Sequence, residues 1–157
     1  MNLRIHPASG DDVFEAGILV GELLGEITSV IGVPAFNFNL DETRSRLSES
    51  LAQERYFMFL ARADAGRILG FIGLCESYAL YAEGRFGTIP ELYVRPEYRS
   101  RRIGQRLLTH AKFFGASRGW KCLEVTTPPL PHFDKTLAFY EREGLAITGG
   151  RKLKIML

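Results

Sequence analysis

Positions 95–106 read RPEYRSRRIGQR, five Arg and one Glu, a local charge of +4. The rest of the chain holds 15 basic and 17 acidic side chains, or −2. A protein for bulk nucleic acid spreads its basic residues over a wider face, and here a duplex would meet acidic flanks. A concentrated cluster suits a small polyanion instead. Before it, Glu91-Leu92-Tyr93-Val94 has strand character, Pro96 forces a turn, and from about Arg102 the pattern is helical. The first turn of a helix leaves backbone N–H groups unpaired, and its dipole favours anions. Strand, basic loop and helix start would make a diphosphate cradle, with Gly104 letting phosphate oxygens approach the backbone. The plain alternative is a solvated charged face, and Arg95 and Arg106 are expected to be ordinary surface residues of that kind.

Other reactive residue types are sparse. Cys75 and Cys122 lie in apolar stretches and read as buried small hydrophobes. His6, His110 and His132 have neither the spacing of metal ligands nor that of a base beside a cysteine nucleophile, so no metal is expected. Strand alternation puts Glu91 with Tyr93 on one face and Leu92 with Val94 on the other. That polar–aromatic face is consistent with a substrate cleft, although a lone strand carboxylate is as often a solvent-exposed bystander.

The elements that position these residues follow from periodicity. Leu3–His6 reads as a short strand. Residues 11–31 read as a helix, with Val13, Ala16, Leu19, Leu23 and Leu24 at helical spacing. Asn39 with Glu42 fits a capping box opening a helix to about Glu54. Tyr56–Ala63 and Ile68–Tyr78 read as strands joined by the turn DAGR, and Thr88–Val94 as a third. Ile103, Leu107, Ala111 and Phe114 place a helix over 102–118, closed by Gly119. Then follow a strand at Cys122–Thr126, a stiff loop TTPPLPHF and a helix over 134–143, which Asp134 could cap. Leu145–Thr148 and Lys152–Leu157 around Gly149-Gly150 read as a closing hairpin. Trp120 should pack under the sheet edge. Tyr78 and Tyr81 fit an acceptor pocket or plain hairpin packing, and Phe36 and Phe38 a lid or a core plug. The order β-α-α-β-β-β-α-β-α-β-β is an α/β sheet of mixed direction covered by helices.

Length and composition bound the rest. With 157 residues, 46% of them hydrophobic, the chain reads as one domain, 1–157, with a core that needs no disulfide or metal. No apolar run approaches the roughly 20 residues of a spanning helix. Two cysteines and an N-terminus without a signal-type apolar region point to a cytoplasmic protein with no membrane partner.

The stretch after Glu91 resembles the acyl-CoA binding motif of the GCN5-related N-acetyltransferases (GNAT). That pattern is Arg or Gln, two residues, Gly, one residue, then Gly or Ala. It falls here on Arg99, Arg102 and Gly104, with Arg102 in place of the first Gly. Phe139-Tyr140-Glu141-Arg142-Glu143-Gly144-Leu145 is similar to the family's later Phe-Tyr-Glu-x-x-Gly-Phe helix end. The order of elements matches as well, so the likeness runs over roughly residues 3–157. Negative φ is expected at position 102, as at any helix start, so that the larger side chain is tolerated with its guanidinium outward.

The resemblance implies a mostly antiparallel central sheet of about six or seven strands, about four helices and a splayed acyl-CoA cleft. It implies an acyl-CoA-dependent N-acyltransferase, with acetyl-CoA as acyl donor and an amine of a small molecule or peptide as acceptor. In that reading the backbone of Leu92, Tyr93 and Val94 pairs with the pantetheine amides. The amides of Arg99, Ser100, Arg101, Arg102, Ile103, Gly104 and Gln105 hold the diphosphate. An N–H near Val94 faces the thioester carbonyl. Glu91 stands where relatives carry a carboxylate base, and Tyr140 matches the tyrosine that protonates the leaving thiolate. Phe133 replaces an Asn found in many relatives. Family members are often dimers, so a homodimer is compatible with the resemblance. The alternatives are a non-catalytic acyl-CoA sensor, a nucleic-acid binder using the Arg cluster, and an enzyme for another acyl group.

Overall fold

The structure is a computed structural model that describes residues 2–157. The chain divides into two compact units, Met1–Thr126 and Thr127–Leu157.

The first unit is a six-stranded sheet with three helices. Strand β1 (Leu3–Pro7) pairs antiparallel with β2 (Phe57–Ala63), and β2 with β3 (Ile68–Ala79). Both long strands are nearly continuous apolar runs because both faces are covered. Phe71, Leu60, Ile68, Leu69, Ile72 and Leu74 are almost fully buried. Between them the DAGR turn closes through Gly66, whose φ of 90° is a glycine conformation. Helix α1 (Val13–Ile31) follows a 3-10 turn at Gly10–Asp12 and buries Val13, Ala16, Leu19, Leu23 and Ile27. Helix α2 (Leu40–Ala52) starts where the Asn39 side chain accepts from the Glu42 N–H at 2.9 Å. The Glu42 carboxylate pairs instead with Arg46, so half of the expected capping box forms.

The expected strand over 88–94 is two strands. Both β4 (Gly84–Thr88) and β5 (Leu92–Val94) pair antiparallel with β3. Cys75 faces Thr88, but Ile72, three residues back, faces Leu92, four residues on. One extra residue therefore sits in Ile89-Pro90-Glu91, a bulge where Pro90 has no N–H to give the ladder. Strand β6 (Leu123–Glu124) runs parallel to β4 through the pairs Gly87–Leu123 and Thr88–Glu124. Past the bulge β5 keeps β3 as its partner, and β5 and β6 are not paired with each other among the described residues. The sheet is splayed at this point.

Helix α3 (Ile103–Ser117) covers one face of the sheet with Ile103, Leu107, Leu108 and Ala111 buried. Its Phe114 packs on Phe57 and Phe59 of β2 at ring-centroid distances of 4.9 and 5.1 Å. Trp120 is buried as expected, lying edge-on to Phe114 at 5.6 Å. Its Nε1 donates to Glu76 at 2.6 Å. Cys122 is exposed and Cys75 half-buried, and neither is the fully buried hydrophobe expected. The reason for Cys122 is that β6 is only two residues long and starts after it.

The second unit contains α4 (Asp134–Arg142). Phe133 occupies its N-cap position, with Asp134 in the first turn, so Asp134 is not the cap. The expected closing hairpin is absent: residues 145–157 form no strand, and Ile147, Leu153, Ile155 and Met156 are exposed. Their apolar alternation finds nothing to pack against, and an isolated hairpin is marginal in water.

Candidate active site

The Arg-rich loop is built by the end of β5. After Val94, Arg95 donates its N–H to the Leu69 carbonyl at 2.8 Å, and Pro96–Tyr98 make one 3-10 turn. Arg95 is not surface charge. Its guanidinium forks onto Glu22 of α1 at 3.1 and 3.0 Å and also reaches the Ile68 carbonyl. The Glu22 carboxylate accepts from the Tyr93 hydroxyl as well, at 3.1 Å. Burial, followed by the nearby Glu22 charge, pushes the Tyr93 phenol up to about 12. Arg106 too is tethered, to the Leu3 carbonyl at 2.9 Å. Arg99 donates to the Val94 carbonyl at 2.8 Å and to Glu26 of α1 at 2.9 Å.

Two residues of this loop have left-handed backbone, Ser100 at φ 64° and Arg102 at φ 61°. The expected negative φ at position 102 is therefore wrong. Arg102 is the N-cap of α3 and stands in a conformation that favours glycine. Left-handed residues alternating with ordinary ones turn successive N–H groups to one side, the geometry of an anion nest. Arg106 is the first residue whose N–H reaches back within α3, to Arg102 at 3.0 Å. The N–H groups of Ile103, Gly104 and Gln105 come before any intrahelical acceptor. Arg101, Arg102 and Gln105 are exposed around them.

Glu91 lies in the bulge rather than in a strand, and it is half-buried rather than an exposed bystander. Its Oε1 accepts from the Tyr56 hydroxyl at 2.6 Å. Burial raises the Glu91 carboxyl above the ordinary carboxylate range, and the Tyr56 hydrogen bond opposes part of that rise. Burial, then the Glu91 charge, pushes the Tyr56 phenol well up, so it stays a donor. Cys75 is raised by burial and then by Glu91. Beneath them is Gly73, where an added Cβ would collide with the Tyr56 hydroxyl and approach Glu91 Oε1 to 2.9 Å. The Glu91 carbonyl accepts from the Gly73 N–H at 2.8 Å, which pins the bulge to β3.

A family model, the acetyltransferase (GNAT) domain, matches residues 54–144, from before β2 to just past α4. The chain belongs to the GNAT acetyltransferase family. An uncharacterised N-acetyltransferase of Bacillus subtilis, YhfO, is 30% identical over 87 residues, which are 55% of this chain and 57% of that protein. A GCN5-related N-acetyltransferase from Ralstonia eutropha has a TM-score of 0.77 at 23% identity, over 98% of this chain and 99% of that one. An aminoglycoside acetyltransferase from a soil metagenomic sample has a TM-score of 0.77 at 21% identity, over 99% and 96%. At these identities the two structures speak for a shared fold.

In this GNAT chain the residues around the splay are Glu91, Leu92, Tyr93, Val94 and the loop from Arg99 to Gln105, all in the first unit. Tyr140 belongs to the second unit, on α4. It is buried, and burial raises its phenol far above the usual value, so it is protonated at any working pH. Tyr78 and Tyr81 are exposed near the β3–β4 turn, and Phe36 and Phe38 are partly exposed, Phe38 lying against Gly21 of α1. Among the described residues no group of three His, Cys, Asp or Glu could hold a metal ion. Among the described residues no helix is long and apolar enough to cross a membrane either. Sequence reasoning missed Tyr56, Glu22 and Glu26. Tyr56 stands just before β2 at the head of an apolar run, and its meeting with Glu91 needs the β2–β3 register and the bulge together.

Proposed function

We propose that this GNAT chain is an acyl-CoA-dependent N-acyltransferase that transfers acetyl from acetyl-CoA to an amine of a small molecule or peptide. The observation that carries this is the conjunction at the splay: a partly buried carboxylate in the bulge, directly followed by an open β5 edge whose strand leads through the Arg-rich loop into the amide-rich start of α3. When bound, acetyl-CoA supplies the activated acyl group as its thioester. Leu92 and Val94 turn their backbone groups to the open β5 edge and offer them to the pantetheine amides, whereas the Tyr93 backbone, expected with them, faces β3 in the same phase as the Glu91–Gly73 and Arg95–Leu69 bonds. The N–H groups across Ser100, Arg101, Arg102, Ile103, Gly104 and Gln105 offer the diphosphate a preorganised positive end, whereas the Arg99 N–H, expected among them, already donates to the Pro96 carbonyl at 3.2 Å. The left-handed pair at Ser100 and Arg102 supports that fit. An N–H near Val94 donates to the carbonyl oxygen as negative charge develops there.

Glu91 accepts the proton that the amine must lose, directly or through water. Its raised carboxyl makes it a stronger base than an exposed glutamate. Tyr140, kept protonated by burial, is proposed as the donor to the departing thiolate. The cell compartment we propose is the cytoplasm, in keeping with two unpaired cysteines.

The test is thiol release from acetyl-CoA against a panel of primary amines. Glu91→Gln should lower kcat by about 10²- to 10⁴-fold, the usual contribution of a general base. Tyr140→Phe should lower turnover while leaving acetyl-CoA affinity unchanged. The parent rate should fall on the acid side as Glu91 takes up a proton, with that limb above the ordinary carboxylate range. Calorimetric binding of acetyl-CoA without turnover of any amine would favour a sensor module. No binding at all would remove the reading.

A further inference from the structure

We propose that Tyr56 is a positioning residue for Glu91: its hydroxyl, in space that Gly73 leaves open, holds the Glu91 carboxylate in one orientation beside the bulge. This rests on the reading of Glu91 as the base. Three independent features of the chain converge on one contact. Tyr56 comes just before β2 and, continuing the register in which Phe57 faces Leu74, stands opposite Cys75. Glu91 is delivered by the one-residue bulge between β4 and β5. Gly73 lies between them on β3, and a Cβ there would take the place of the hydroxyl. The resulting hydrogen bond is 2.6 Å long, in the range of a hydroxyl donating to a charged oxygen.

The physical consequence concerns the carboxylate's charge and direction. A partly buried glutamate would otherwise swing toward water or hold its proton. The Tyr56 hydroxyl is a fixed donor to the ionised form, and it cannot accept the amine's proton itself while its own proton is held so firmly. The titratable groups facing Glu91 are Tyr56 ahead of β2 and Cys75 on β3. Glu22 of α1 is occupied by Tyr93 and Arg95. Tyr56→Phe therefore removes one donor and leaves the ring in place. Glu91 then ionises at higher pH, and its carboxylate is free to rotate.

The experiment pairs pH–rate profiles with carbon-13 NMR titration of glutamate carboxyls, the Glu91 signal being assigned by its loss in Glu91→Gln. In Tyr56→Phe the Glu91 titration and the acid limb of kcat should both move to higher pH. At a pH below the parent limb, kcat should fall about tenfold, the size expected for one hydrogen bond to a charged group. KM for acetyl-CoA should not change. Gly73→Ala, which displaces the hydroxyl while keeping it in the chain, should move the titration in the same direction. A Glu91 titration unmoved in both folded variants overturns the inference. A titration that moves while the acid limb stays supports Tyr56 as the holder of Glu91 and instead defeats the reading of Glu91 as base.

Discussion

Arg102 stands at φ 61° and ψ 18°, a backbone state that costs an L-residue about 1–2 kcal/mol. The α3 start requires that state, and the family pattern meets it with glycine. Arginine keeps the geometry at the expense of strain, and it brings a guanidinium to the rim of the amide nest. Arg102→Gly removes the strain, while the extra freedom of unfolded glycine takes back roughly 0.5–1 kcal/mol. The variant should be more stable by up to about 1 kcal/mol in urea unfolding. If the guanidinium also contacts a phosphate, the same variant binds acetyl-CoA more weakly, so stability and affinity move in opposite directions. An unchanged affinity would leave Arg102 a strained cap and nothing more. The identity of position 102 was readable from the motif. Its φ was not, because helix-start rules describe the residues inside the first turn and not the one that turns the chain into it.

At the scale of elements, β3 organises the site. It carries β2 on one edge, β4 and β5 in succession on the other, and Gly73 where the two halves meet. The apolar runs of β2 and β3 and the stripe of α3 were legible, since burial on fixed periods leaves a mark in sequence. The bulge was not legible. It is a mismatch between two registers, and Pro90 alone reads as a strand end as readily as a kink. The closing hairpin failed for the opposite reason: alternation was present at 152–157 without any surface to bury it. The splay also depends on a small residue at the base of the opening. An added Cβ at Gly87 of β4 would strike the Trp120 ring and approach the Leu123 side chain to 2.7 Å. Trp120 is wedged against Gly115 and anchored to Glu76, so it has little room to yield. Gly87→Ala should therefore cost about 1–3 kcal/mol, the usual penalty of overpacking. Chemical unfolding measures it, and loss of the Trp120 fluorescence signature should accompany it. A neutral effect would show that the ring and β6 shift together.

Across the whole molecule, charge is distributed less openly than the sequence implies. The +4 cluster reads as a bare basic patch, yet α1 answers it from about 70 residues away in the chain. Glu22 occupies Arg95, whose role is thereby to brace β5 against α1. Glu26 occupies Arg99, the motif arginine, at 2.9 Å. These two pairs differ in kind. The Arg95 side chain is 12% exposed and forks onto Glu22, whereas Arg99 is 44% exposed and reaches Glu26 through one nitrogen, the other donating to the Val94 carbonyl. A pair as open as Arg99–Glu26 adds little to stability. Glu26 lowers the positive potential at the loop, and in the proposed cofactor reading it would compete with a phosphate for the same guanidinium. Glu26→Gln should leave the unfolding midpoint nearly unchanged and tighten acetyl-CoA binding severalfold at low ionic strength. The difference should shrink at about 1 M salt, where the screening length falls to about 3 Å. Calorimetry at the two salt concentrations tests this. Equal affinities for parent and variant at both would mean that Arg99 serves the β5–α1 contact alone, and the diphosphate would then rest on the backbone amides and on Arg101 and Arg102.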